Sequence, residues 1–201
     1  MLYDEITQLI ATHREDDWWD FKREHHNDKA ELVHDILCMA NNRARRDSYI
    51  IFGVEDNTFS ILGVENDERR RNQQNIVDIL RNISFAGGVR PRIEVQTITI
   101  DSHEIDVLII KYSFETPFYL EKEYRDKLVK NEKSELYGKI VRPYHIYTRV
   151  VGKNTAVHKP TSQMLDFTCF TGMFQRFVLL IYYFLKTVLI ASTRYEIYNQ
   201  I

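Results

Sequence analysis

The sequence lacks the residue patterns that mark several large enzyme classes. It contains no GxxxxGK[ST], GxGxxG, HExxH, GxSxG or CxxC segment. Each pattern has a physical role: glycine-rich loops approach phosphates, paired histidines hold zinc, and a serine at a tight turn presents a nucleophile. The absence of these patterns argues against a P-loop nucleotidase, a dehydrogenase, a zinc protease and a serine hydrolase.

Cysteine is scarce, and positive and negative charges nearly balance. Cys38 and Cys169 are too few for a disulfide framework and do not form a metal-binding pair. Cys38 lies in an apolar helical pattern, which predicts a small core residue. A formal net charge of −2 provides no strong global field. Any binding of nucleic acid must therefore come from local basic patches.

Long hydrophobic runs are also missing. The first ten residues, MLYDEITQLI, have neither the basic start nor the apolar stretch of a signal peptide, so we expect a cytoplasmic protein. Residues 160–201 are rich in apolar side chains, but their longest uncharged run, residues 177–185, is much shorter than the roughly 20 residues that span a bilayer. We predict an apolar, helical C-terminal segment there. A membrane-associated or oligomerising tail, and a truncated or shifted end, are the alternatives.

The chain before this segment alternates between helical and strand periods. Helical spacing of apolar residues occurs in residues 4–13, 28–40 and 76–83, and strand patterns occur in WDFK, YIIFGV, FSILGV, PFYL and RPYHIYTRVVG. Residues 92–100 and 104–112 are predicted to be two long strands, and residues 121–139 a mobile loop. Residues 1–159 are therefore predicted to form one α+β domain, a mixed β-sheet flanked by three helices.

The segment EDDWWDFKREHH, residues 15–26, combines acidic and aromatic residues with strand alternation. Trp19 and Phe21 face one side of the predicted strand, and Asp20 and Lys22 face the other. Glu15 lies just before this strand, and Glu55 and Asp56 follow the buried strand YIIFGV. Carboxylates gathered at one edge of a sheet are suitable ligands for Mg²⁺ or Mn²⁺, which bind through one or two carboxylates, water and substrate phosphate.

This pattern favours metal-assisted cleavage of a phosphodiester. A bound ion polarises the phosphate and lowers the pKa of a water ligand, and Lys22 stabilises the developing negative charge. The structural alternative is that Glu15 ends the first helix, Asp20 pairs with Lys22, and Asp56 shapes a turn. The adjacent His25 and His26 would point to opposite faces of a strand, so they are not expected to chelate one ion, and their role is left open.

Arginines cluster in three predicted loops. The clusters are Arg43, Arg45 and Arg46; Arg69, Arg70 and Arg71; and Arg90 and Arg92. Such loops can hold phosphates beside an acidic site, and their alternative role is as solvated surface. We predict nucleic-acid contacts at Arg43, Arg45, Arg46, Arg90, Arg92 and Arg149.

Taken in order, the segments WDFKREHHNDKAELVHDILCMANN, YIIFGVED and ILGV resemble the Schlafen-type AlbA-like domain. The segments TPFYL and YHIYTRVVGKNT resemble the end of the same domain, so the resemblance spans residues 15–155. In nuclease members of this family three carboxylates form the active centre, and Glu15, Asp20 and Asp56 match their positions. The resemblance implies a metal-dependent endoribonuclease that uses Mg²⁺ or Mn²⁺ and accepts RNA, including tRNA-like substrates.

The sequence departs from the family pattern in two places. Asp20 stands where the family usually has Glu, and NNRARRD replaces a glycine pair after the second helix. Nuclease members often build a groove from two such lobes, so we expect a homodimer or a partner protein here. Other bacterial relatives are described as DNA-binding regulators or ATP-binding proteins. A catalytically silent DNA-binding module, and an assembly domain recruited through its C-terminal segment, are therefore the alternatives.

Overall fold

The computed structural model describes residues 1–126 and 138–157. It confirms the predicted α+β class, with three helices and a mixed sheet. The helices are α1 (Leu2–Ala11), α2 (Lys29–Ala40) and α3 (Gln73–Arg81). The strands are β1 (Trp19–Lys22), β2 (Ser48–Phe52), β3 (Ile93–Ile100), β4 (His103–Ile110), β5 (Tyr124–Arg125), β6 (Ile140–Val141), β7 (Ile146–Val150) and β8 (Lys153–Val157).

The main sheet has four strands in the order β1-β2-β4-β3. Strand β1 runs parallel to β2, whereas β4 is antiparallel to both of its neighbours. Every residue of β2 is buried, because this strand is central and its two faces are covered. Ser48 lies opposite Ile110, and Ile110 lies opposite Ile93, so β2 and β3 begin at the same end of the sheet.

The helices cover opposite faces of this sheet. Helix α1 packs with Trp19 and Phe21 on one face, and α2 and α3 pack on the other. Because side chains alternate along a strand, Asp20 and Lys22 point to the face that α2 covers. The predicted alternation in β1 therefore places a carboxylate and an ammonium group against a helix.

Helix α2 is buried on nearly all sides. Its predicted apolar stripe is buried, but so are His34, Asp35 and Cys38 on other faces of the helix. The sheet covers one side, and β5, β6, β7 and β8 cover another. Burial raises the pKa of the Cys38 thiol, which agrees with its predicted role as a core residue. Asp28 caps the helix and accepts a hydrogen bond from the Ala30 N–H at 2.7 Å.

Two predicted strands are reduced to single bridges. FSILGV pairs with the residues that follow β2 through one bridge, between Val54 and Ile61. Positive φ angles at Phe59 and Gly63 interrupt an extended chain on either side of that bridge. PFYL contributes one bridge, between Phe85 and Leu120. The predicted mobile loop contains β5, which pairs with β6, and its residues 127–137 lie outside the described residues.

The predicted C-terminal segment, residues 160–201, also lies outside the described residues. In the part of the chain that the structure describes, no helix combines the length and apolar character needed to cross a membrane.

Candidate functional site

Two of the three predicted carboxylates meet at one guanidinium group. Asp20 projects from β1 toward α2, and Glu15 folds back so that its Oε1 accepts the Phe21 N–H at 3.0 Å. The Arg149 Nη2 donates to Glu15 Oε2 at 2.7 Å and to Asp20 Oδ1 at 2.9 Å. The two acids therefore share one positive charge.

Arg149 lies on β7, and its side chain is only 3% exposed. Its Nε donates to the Asp16 carbonyl at 2.8 Å, and its Nη1 donates to Asn154 Oδ1 at 2.9 Å. Each of the three guanidinium nitrogens thus donates to a protein acceptor. Arg149 connects the β7–β8 hairpin to the segment before β1, and this position differs from that of the exposed arginines predicted to contact nucleic acid.

Lys22 joins this pair of acids to a third carboxylate. Its Nζ lies 2.7 Å from Asp20 Oδ2 and 3.9 Å from Asp35 Oδ2. Asp35, on α2, lies 2.8 Å from His26 Nε2 and 3.2 Å from His34 Nδ1, and it accepts the Asn154 amide at 2.7 Å. We call these residues the acidic cluster: Glu15, Asp20, Lys22, His26, His34, Asp35, Arg149 and Asn154.

Four members of this cluster were not predicted from the sequence: His26, His34, Asp35 and Asn154. One signal was present in the sequence: the polar pair His34-Asp35 interrupts the otherwise apolar stretch of residues 32–40. A buried polar pair needs hydrogen-bond partners, so such an interruption indicates a polar site on a buried helix face.

The cluster shifts the ionisation of its members in opposite directions. Burial, together with the neighbouring Asp20 carboxyl, raises the pKa of Glu15 to about 7. Burial alone would raise the pKa of Asp35, but hydrogen bonds from His26 and His34 outweigh it and hold that pKa well below its usual range. Burial likewise opposes the charge on Lys22, yet the Asp20 and Asp35 carboxylates raise its pKa. A carboxyl group with this pKa can exchange a proton near neutral pH.

The structure does not place Asp56 in this cluster. Asp20 lies opposite Ile50 in the middle of β2, whereas Asp56 is exposed on a turn beyond the end of that strand. The Asp56 carboxylate accepts a hydrogen bond from the side chain of the neighbouring Asn57 at 3.1 Å.

The metal-ligand set predicted from the resemblance, Glu15, Asp20 and Asp56, remains a prediction. Among the described residues, no group of three or more His, Cys, Asp or Glu side chains is arranged to hold a metal ion. Positive charge next to Glu15 and Asp20 comes instead from Arg149 and Lys22. These donors do not fit a three-carboxylate metal centre.

The two adjacent histidines contact different carboxylates. His26 belongs to the acidic cluster, whereas His25 Nε2 lies 3.2 Å from Asp106 Oδ2 and its ring stacks on Phe52 at 4.0 Å. Arg70 also donates to Asp106, through Nε at 2.7 Å and Nη2 at 2.8 Å. His25 and Arg70 thus join the loop before α2 and the loop before α3 to Asp106 on β4.

A cavity of about 600 Å³ lies beside the acidic cluster. Lys22, Lys139 and Arg142 contribute three basic side chains to its lining, next to Asp35. The solvent-accessible members of the acidic cluster include Lys22 and Glu15, whose side chains are 30% and 23% exposed, and the exposed residue Asn154.

Five predicted arginines lie at one end of the sheet. The loop between α2 and β2 carries three, and the segment before β3 carries two. The pairing of Ser48 with Ile110 and of Ile110 with Ile93 brings these segments to the same end. All five side chains belong to exposed residues. We call this set the arginine edge: Arg43, Arg45, Arg46, Arg90 and Arg92.

Most of the arginine edge carries uncompensated charge. Arg46 pairs with Glu5 at 2.6 Å and lies 3.6 Å from the centre of the Trp18 ring. Within the described residues, the other four arginines have no ion-pair partner. Four guanidinium groups at this end are therefore available to a negatively charged ligand.

Comparison with known proteins identifies the domain type. A protein-family model described as Schlafen, AlbA_2 matches residues 15–157, and no curated protein matches the chain. Among solved structures, the DIP2311 protein from Corynebacterium diphtheriae is 18% identical, with a TM-score of 0.42 over 70% of this chain and 22% of that chain. The present chain thus spans about a fifth of that protein's length.

The match to a second solved structure covers most of that structure's chain. It is the N-terminal domain of an ATP-dependent DNA helicase RecG-related protein from Nitrosomonas europaea, 13% identical, with a TM-score of 0.41 over 78% of this chain and 94% of that chain. The family match carries the assignment, because it covers more than two thirds of the sequence and includes β1, α2, β2 and β7. The chain belongs to the Schlafen AlbA_2 family.

Proposed function

We propose that this chain binds nucleic acid through the arginine edge, in agreement with the nucleic-acid-binding role that its family suggests. The observation that carries the proposal is the group of four exposed arginines without ion-pair partners in the described residues, Arg43, Arg45, Arg90 and Arg92. Guanidinium groups bind phosphate oxygens through bidentate hydrogen bonds, and each contact releases counterions from the nucleic acid.

RNA is the favoured ligand, and DNA is the alternative. Phosphate contacts do not distinguish the two, so the preference rests on the resemblance to the ribonuclease members of the family. A homodimer or a partner protein would provide the second side of a groove, as the family resemblance implies.

Binding is tested with a fluorescently labelled RNA hairpin, a DNA hairpin of the same sequence, and fluorescence anisotropy. The variant carries glutamine at the four unpaired arginines of the edge, Arg43, Arg45, Arg90 and Arg92. We expect it to bind RNA at least tenfold more weakly than the wild type, because each lost phosphate contact removes a charge-assisted hydrogen bond.

Arg23→Gln is the matched control. Arg23 is exposed but follows β1, at the opposite end of the sheet from the arginine edge. This variant should retain wild-type affinity. Equal loss of affinity in both variants, or no binding by the wild type, would contradict the proposal.

Endoribonuclease activity is the second candidate function, and the ionisation of Glu15 is the observation that favours it. A carboxyl group with a pKa near 7 can accept and return a proton at neutral pH. Lys22, beside Asp20, would stabilise negative charge on a phosphate at the same place. In this proposal Glu15 transfers the proton, Asp20 and Lys22 set the local charge, and Arg149 positions the two acids.

The predicted Mg²⁺ or Mn²⁺ remains a prediction from the family resemblance, and no step is assigned to it. A cleavage assay on structured RNA, with EDTA, Mg²⁺ or Mn²⁺, compares the wild type with Asp20→Ala and Asp56→Ala. Loss of cleavage in Asp20→Ala alone supports chemistry at the acidic cluster. Loss in both supports the three-carboxylate site predicted from the sequence, and equal cleavage by all three proteins contradicts both sites.

A silent binding module is the alternative to the enzyme. Salt-sensitive RNA or DNA binding without turnover under any metal condition would favour it. The assembly role predicted for residues 160–201 has its own test, which is the deletion of residues 161–201. If this segment recruits a partner or a membrane, the deletion should abolish partner recruitment or the need for detergent to keep the protein soluble. Nucleic-acid affinity should remain unchanged.

A further inference from the structure

An exposed aromatic pair follows strand β4. Tyr112 is 37% exposed and Phe114 is 57% exposed. Their ring centres are 5.1 Å apart, with the planes inclined at 70°. The two rings therefore support each other in an edge-to-face contact while each keeps surface in water.

This pair begins at the arginine edge. The Tyr112 N–H donates to Asp47 Oδ1 at 2.8 Å, which attaches it to the loop that carries Arg43 and Arg45. The preceding Lys111 N–H donates to the Arg92 carbonyl at 2.9 Å, which attaches the same segment to the loop before β3. The aromatic segment thus lies between the two arginine loops.

Acidic residues at this end offset only part of the arginine charge. Asp47 and Glu94 both pair with Lys111, each at 3.2 Å. Asp47, Glu94 and Lys111 together carry one net negative charge, against the four unpaired arginines of the edge. Net positive charge therefore remains near the two exposed rings. A surface of this kind fits a ligand that combines phosphates with flat, unpaired rings.

We propose that Tyr112 and Phe114 stack unpaired bases of a single-stranded nucleic acid whose phosphates contact the arginine edge. This inference rests on the proposed function and narrows its ligand from nucleic acid in general to single strands. Duplex bases are stacked on each other and offer no free face, whereas a single strand can place bases on protein rings.

The test uses a labelled oligouridylate of about 16 nucleotides, in the size range that a small binding module covers, and a duplex RNA of equal length. Binding is measured by anisotropy over a series of salt concentrations. The variants are Tyr112→Leu and Phe114→Leu, which keep an apolar side chain but remove the ring, and Phe114→Trp, which enlarges the ring.

Each leucine variant should bind the oligouridylate about tenfold more weakly than the wild type, because base–ring stacking is lost. The dependence of affinity on salt should remain that of the wild type, since no phosphate contact is removed. Duplex affinity should not change, and Phe114→Trp should bind the single strand at least as well as the wild type.

Leu62→Ala is the control, since Leu62 is 41% exposed and lies beyond the end of β2, at the opposite end of the sheet. It should bind both RNAs as the wild type does. Wild-type affinity in both leucine variants would overturn the inference, and so would an equal loss for single strand and duplex. A changed oligomeric state with unchanged RNA affinity would also overturn it, in favour of a protein contact at these rings.

The two proposals fail in different ways. If the arginine variant loses affinity and the leucine variants do not, nucleic-acid binding stands and base stacking is wrong. If the wild type binds neither RNA, both proposals are wrong.

Discussion

Glu15 shows how a partly buried position beside a second acid can raise the pKa of a carboxyl group. Its ordinary pKa is 4.5, and burial beside Asp20 raises the folded-state pKa to about 7. Between these two values the folded protein holds a proton that the unfolded chain releases. The stabilisation from this proton is complete below the unfolded-state pKa and is lost as the pH rises through the folded-state pKa.

Glu15→Gln should therefore change how stability depends on pH. Between pH 5 and pH 8 the wild type should lose about 2–3 kcal/mol of unfolding free energy relative to the variant, because glutamine has no proton to release. Urea unfolding followed by circular dichroism at several pH values measures this difference. Parallel curves for the two proteins would show that Glu15 ionises normally.

Asp35 should be the more important acid for folding. Asp35→Asn weakens contacts to His26, His34 and Asn154 and leaves buried partners poorly matched, so we expect a loss of about 2–4 kcal/mol at pH 7. The loss should be smaller in acid. The lowered folded-state pKa of Asp35 adds to the free energy of unfolding in full above the unfolded-state pKa, and this contribution falls as the pH drops below that value.

Asp56→Asn is the control for this prediction. Asp56 is exposed and accepts a hydrogen bond from the neighbouring Asn57, so its substitution should change stability by less than about 0.5 kcal/mol. Similar losses in the Asp35 and Asp56 variants, measured by urea unfolding, would contradict the assignment of Asp35 to a buried network.

Sequence reasoning identified part of the acidic cluster for a clear physical reason. Strand alternation alone separates Asp20 and Lys22 from Trp19 and Phe21, and the structure agrees. It did not identify Asp35, because the face that a helix presents to a strand depends on packing with elements distant in sequence. The distance between Asp20 and Asp56 depends on the turn after β2, which local patterns do not determine.

At the scale of elements, Arg149 connects the β7–β8 hairpin to the segment that holds the acids. Arg149→Met removes the charge shared by Glu15 and Asp20 and should lower the unfolding free energy by about 3–5 kcal/mol. The RNA affinity of the folded variant should match the wild type, because the side chain is buried and its nitrogens are bonded within the protein.

Urea unfolding and anisotropy on the same sample separate the two effects. A variant that keeps its stability but loses affinity would support the original prediction of Arg149 as a nucleic-acid contact. It would contradict the positioning role proposed from the structure.

Some secondary-structure elements could be predicted from the sequence more completely than others. Periodicity located α1, α2 and α3, since a stripe of apolar residues fits only one helical face. The burial of α2 on nearly all sides was not predicted, because it depends on the later β5–β8 segments folding over the helix. FSILGV has strand composition, yet positive φ angles at Phe59 and Gly63 limit it to one bridge.

For the whole molecule, the main result is how charge is distributed. A net charge of −2 predicts no general attraction to nucleic acid, and the structure instead concentrates exposed arginines at one end of the sheet. In the sequence the residues of the arginine edge belong to two of the three basic loops, and only the register of β2, β4 and β3 brings these two loops to the same end. The homodimer or partner protein, the cytoplasmic location, and the boundary between residues 1–159 and 160–201 remain predictions.

The most direct test of the account is the salt dependence of RNA affinity. The slope of log affinity against log salt concentration is compared between the wild type and the variant with glutamine at Arg43, Arg45, Arg90 and Arg92. Each phosphate contact to a single strand contributes about 0.7 to this slope, so the variant should be shallower by up to about 3. Equal slopes in the two proteins would contradict nucleic-acid binding by the arginine edge.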